Sequence, residues 1–134
     1  MIQVYSKDIA VTPNSNVQFN TVTLKTGSTV TIRDSTQLNI NHSGIYRIEF
    51  VGYGASNTDN STIGVQLVVD GKEVPQAEAT VATSSAILPE LVAFTALVPV
   101  KICPCGGGSK TVTVLATGTA GTLSLANLTV TKIR

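Results

Sequence analysis

The chain has 134 residues, of which 43% are hydrophobic and 13% charged, with nine basic and eight acidic side chains for a formal net charge of +1. That length suits one ordinary domain, which hides roughly two-thirds of its unfolded surface and needs neither disulfide nor metal to hold a core. Without a basic run it lacks the electrostatic footprint of a nucleic-acid or anionic-membrane binder, and no stretch approaches the ~20 apolar residues of a spanning helix. The charged share is about half the usual ~25%. The outside is therefore expected to be coated by Thr, Ser, Asn and Gln, with part of it buried against partners.

Thr and Val dominate, and β-branched residues suit a pleated surface. A short opening strand is predicted at Ile2 to Tyr5. Val17 to Phe19 leads into Thr21 to Leu24, with Val22 and Leu24 on one face. The turn Lys25-Thr26-Gly27-Ser28 is followed by Thr29 to Arg33, with Val30 and Ile32 on one face, and by the short Gln37 to Ile40. After the turn Asn41-His42-Ser43-Gly44, Ile45 to Tyr53 is a long strand whose core face is Tyr46, Ile48 and Phe50. Ile63 to Val69 sets Ile63, Val65, Leu67 and Val69 on one face, with Gln66 and Asp70 on the other. Asp70-Gly71 then fits a two-residue hairpin turn, and Lys72 to Ala79 returns. Ala77 to Ala86 reads as strand plus loop, with a short helical turn as the alternative. Leu91 to Ile102, Lys110 to Thr117 and Thr122 to Ile133 complete the chain. Nine or ten evenly spaced strands with no helices between them predict a single all-β sandwich or jelly roll over residues 1–134.

One strand breaks the usual pattern of one dry and one wet face. In Leu91 to Ile102, Val92, Phe94, Ala96, Val98 and Val100 share one face, while Leu91, Ala93, Thr95 and Leu97 share the other. A partner subunit or a loop of the same chain would cover the second face. In Ile45 to Tyr53 the non-core face holds Ile45, Arg47, Glu49, Val51 and Tyr53, where Arg47 and Glu49 pair within the chain, pair across subunits, or stand solvated. Leu123 and Leu125 share one phase while Leu128 and Val130 share the other, so a bulge near Ala126 and Asn127, or burial on both faces, is expected.

The order of these features, Phe19-Asn20, a Thr-rich hairpin, Gly44-Ile45-Tyr46-Arg47-Ile48-Glu49-Phe50, Val65 through Val74 and the closing Leu125-Ala126-Asn127-Leu128-Thr129-Val130, resembles the tumour necrosis factor-like jelly roll. That superfamily includes the globular heads of complement q-type subunits. The resemblance covers almost the whole chain and is nearest to the bacterial and phage branch: heads of exosporium collagen-like proteins and of phage fibres. It implies about ten antiparallel strands, a homotrimer about a threefold axis, outward binding loops, and neither catalytic centre nor cofactor. Val51, Tyr53, Leu91, Ala93, Thr95 and Leu97 are the interface residues this reading selects. The chain departs from the family in lacking a collagen stalk and evident acidic calcium loops.

Candidate chemistry is sparse. His42, the only histidine, sits in a polar turn and reads as a surface residue rather than a catalytic base; no Gly-x-Ser-x-Gly or His-Glu-x-x-His pattern is present. Eight scattered acids and the absence of Trp argue against a sugar-cleaving cleft. Cys103-Pro104-Cys105 before Gly106-Gly107-Gly108 offers two thiols, too few for an ordinary zinc site. Inert thiols, a disulfide, or an axial metal shared by three copies are the alternatives. Asn57-Thr58-Asp59-Asn60-Ser61-Thr62 reads as a polar loop between strands, either solvated or binding a calcium ion or a glycan, and Asn57, Asp59 and Asn60 are candidates for an outer binding site.

The expected function is a non-enzymatic trimeric structural or adhesion head. It would be a phage virion fibre or decoration component, or a bacterial surface or spore-coat protein, with a cell-surface glycan or protein as receptor. The start at Met1 without a secretory signal or transmembrane segment tilts this expectation toward the virion. A secreted ligand of the same fold and a monomeric carbohydrate-binding module are the alternatives.

Overall fold

The computed structural model describes residues 1–58, 61–83, 89–102 and 108–134. Ten strands follow in order: β1 (Ile2–Val11), β2 (Thr21–Lys25), β3 (Val30–Asp34), β4 (Gln37–Ile40), β5 (Gly44–Ser56), β6 (Ser61–Val69), β7 (Lys72–Thr83), β8 (Glu90–Val100), β9 (Lys110–Gly118) and β10 (Gly121–Lys132). They build two five-stranded antiparallel sheets, β2-β1-β10-β5-β8 and β3-β4-β9-β6-β7. Chain neighbours pair within a sheet only at β1–β2, β3–β4 and β6–β7, and the other connections cross between sheets, which is jelly-roll wiring. Residues 14–17 continue the line of β4 along β9, through Asn14 and Val17 N–H groups donating to the Ala116 and Val114 carbonyls.

Alternation produces the core between the sheets. Tyr46, Ile48 and Phe50 of β5, Val92, Phe94 and Ala96 of β8, and Val112 and Val114 of β9 all point inward and are buried. Phe50 faces Phe94 across the strands, rings stacked with centroids 5.7 Å apart, and Phe19 meets Phe50 edge-on. The Tyr46 hydroxyl donates to the His42 carbonyl at 2.6 Å, so one buried side chain fixes the β4–β5 turn. The Asp70-Gly71 turn has positive φ at both residues, 53° and 78°. That is the hairpin turn which favours glycine at its second position.

Several expectations need correction. β1 continues to Val11 in one register with β10, from Ile2 beside Val130 to Val11 beside Gly121, but its buried positions change phase around Asp8, which has φ 53°: Ile2, Val4 and Ser6 are buried before it and Val11 after it. β10 has its irregularity against β5 between Leu123 and Leu125, two residues before the expected bulge. Leu123 therefore points inward with Ala126, Leu128 and Val130, while Leu125 turns out. Val22 and Leu24 do not share a face. A register shift sets Val22 opposite core-facing Val4 and Leu24 opposite outward-facing Gln3. Ile32 stays 40% exposed at the sheet edge although Val30 is buried. Gln66 is buried because its amide donates to the Leu67, Val74 and Ala77 carbonyls beside the β6–β7 irregularity. Residues 77–83 are strand, and the rest of the Ala77 to Ala86 stretch lies outside the described residues.

Candidate self-association face

β8 is an edge strand, and its burial alternates strictly: even-numbered residues Val92 to Val100 are buried and odd-numbered Leu91 to Pro99 are exposed. The apolar second face is thus bare in the single chain, with Leu91 52% and Leu97 58% exposed. Among the described residues no loop closes over them.

Register extends this face across the sheet. Leu91 lies beside Tyr53, Ala93 beside Val51, Thr95 beside Glu49, Leu97 beside Arg47 and Pro99 beside Ile45. On the far side of β5, Leu125 neighbours Tyr53, Asn127 neighbours Val51, Thr129 neighbours Glu49 and Thr131 neighbours Arg47. All six residues selected from sequence, Val51, Tyr53, Leu91, Ala93, Thr95 and Leu97, fall on this one outward surface. Missed were Leu125, hidden by the bulge, and Pro99 and Ile133, which continue the surface past the polar middle. Ile133 N–H donates to the Ile45 carbonyl, so the chain end joins the same end of the face. Asn127 Oδ1 is buried without a hydrogen-bond partner.

Charge on this surface is confined. Arg47 Nε stands 3.2 Å from Glu49 Oε1 on the same strand, and Lys7, opposite Leu125, lies at a corner. At about 3.4 Å per residue, residues 45–53 run about 30 Å, and three strands span about 14 Å. The face is thus roughly 400 Å² in plan, apolar at both ends and polar between them.

The other candidates gather nothing comparable. His42 is exposed in the β4–β5 turn, its carbonyl occupied by Tyr46. Asp70 pairs with Lys110 at 2.9 Å. Asn57 is exposed after β5, with its N–H donating to the Ala120 carbonyl. Asp59, Asn60, Cys103 and Cys105 lie outside the described residues. Among the described residues no three His, Cys, Asp or Glu side chains cluster to hold a metal, and no helix is long and apolar enough to cross a membrane.

No family model and no curated protein matches this sequence. Solved structures do match in shape. Eiger tumour necrosis factor from S. frugiperda aligns at a TM-score of 0.69 and 14% identity over 95% of this chain and 90% of that one. The PRD1 vertex protein P5 aligns at 0.65 and 13% identity over 99% and 96%. The globular domain of zebrafish complement 1qA protein aligns at 0.62 and 9% identity over 95% and 93%. The fold is the tumour necrosis factor-like jelly roll.

Proposed function

We propose that residues 1–134 form one non-enzymatic head domain that assembles as a homotrimer through the outward face of β5, β8 and β10. The observation that carries this reading is the bare apolar surface around Tyr53, Leu91 and Leu97 on one side of the jelly roll. Water contact at such side chains is unfavourable by roughly 25 cal/mol for each Å² of apolar surface, and packing sister copies together removes it. A threefold arrangement accords with the tumour necrosis factor-like fold. Likeness to the solved chain of the PRD1 vertex protein P5, over 96% of that chain, favours a component of a virion, such as a fibre head or decoration protein. A bacterial surface or spore-coat head is the nearest variant of that role.

Trimer geometry presents three copies of every outer loop, so weak contacts with a cell-surface glycan or protein receptor gain avidity. The loop beginning at Asn57 is the proposed place for such contacts. Light scattering of the purified chain tests the assembly. The expected particle is about 42 kDa, three times the 13.9 kDa chain, and a 13.9 kDa particle at high concentration would falsify it.

A further inference from the structure

The outward face of β5, β8 and β10 changes character along its length. Its ends are apolar, at Ile45 beside Pro99 and at Tyr53 beside Leu91. Between them runs a belt in which Arg47 is flanked by Leu97 and Thr131, and Glu49 by Thr95 and Thr129. The Arg47 and Glu49 side chains are 47% and 38% exposed. An ion pair so open to water adds little to folding, and nothing in the core beneath requires it. Its place between two apolar ends is instead suited to an interface. Each copy carries one cation and one anion two residues apart on β5, their side chains 3.2 Å from each other in the single chain. The belt is therefore complementary to itself, and a sister copy supplies the opposite charge for each group.

We infer that Arg47 and Glu49 form an ionic belt that pairs between copies on assembly, fixing their register and rejecting unrelated apolar surfaces. The inference rests on the self-association proposed above. Like charges meeting in an interface are strongly unfavourable, and closely matched opposite charges set which partner is accepted. Both side chains project from the folded surface, so exchanging them leaves the sandwich intact.

The test uses R47E and E49R, each purified alone and then mixed, beside the unaltered chain. Each variant alone is expected to associate on the order of 100-fold more weakly, with an unchanged far-ultraviolet spectrum. Mixing them restores assemblies containing both variants, since a mixed trimer has unlike partners at two of its three contacts. If the unaltered chain stays single, the self-association reading fails and the belt with it. If the unaltered chain assembles and both variants assemble equally well, the belt alone is overturned. If the variants dissociate and mixing restores nothing, the pair acts inside its own chain, which also overturns the belt.

Discussion

The two sheets turn very different surfaces outward. On the β3-β4-β9-β6-β7 sheet, the register gathers Thr31, Asn39 and Thr111 in one row and Thr117, Gly64 and Thr80 in another. Val68 and Leu115 are its large apolar members, and both are partly buried. The opposite sheet exposes Ile45, Val51, Tyr53, Leu91 and Leu97. Both faces belong to the same sandwich and cover the same core, so folding alone does not account for the contrast. Hydroxyl and amide side chains dress the first face for water, as the low charge of the chain demands. The second is finished only when another surface lies on it.

The contrast breaks most sharply under Leu97→Glu. This change is expected to reduce the particle to a single chain by light scattering while its thermal midpoint moves little. Thr113→Glu on the polar sheet is expected to leave both unchanged. Loss of assembly from the second variant would erase the distinction between the faces.

Changes in the shared core should act on folding. Tyr46→Ala removes a fully buried ring and the hydroxyl that anchors the β4–β5 turn. A loss of about 3–5 kcal/mol is expected in urea unfolding. Gln66→Ala leaves the Leu67, Val74 and Ala77 carbonyls short of a donor. It should cost about 1–3 kcal/mol of stability without altering the mass of whatever remains folded.

The smallest effect lies at the β3–β4 turn. The Thr36 N–H and hydroxyl both donate to Asp34, holding its carboxyl below the ordinary carboxylate value. A group lowered in the folded state stabilises most above its unfolded pKa and loses that contribution as pH falls through the folded one. The difference in thermal midpoint between the unaltered chain and Asp34→Asn should therefore shrink as pH falls from about 5 to about 2.

Alternation made most of the strands readable. The faces of Tyr46, Ile48 and Phe50, and of Val92 through Val100, followed directly from their spacing, as did the Asp70-Gly71 turn. Where a bulge slips the phase, alternation misleads. Asp8 concealed the second half of β1, and the phase change between Leu123 and Leu128 announced a bulge but not that it lies beside Ser124 and sends Leu125 outward. The apolar surface was readable at Leu91 to Leu97 because both faces of one strand were greasy. Pro99 follows Leu97 in the same alternation, but the continuation to Leu125 and Ile133 depends on which strands lie side by side, and pairing across a jelly roll leaves little trace in local sequence. Gln66 looked solvent-facing by phase, and only the carbonyls arranged around it explain its burial.

Hydroxyl-radical footprinting reads the two faces most directly, because each carries leucine as an internal reporter. In the unaltered protein at a concentration where it assembles, Tyr53 and Leu91 should be oxidised far more slowly than in Leu97→Glu, where both become open, while Leu115 on the polar sheet reacts alike in both. Equal oxidation of Tyr53 and Leu91 in the two proteins would contradict burial of this face between sister copies.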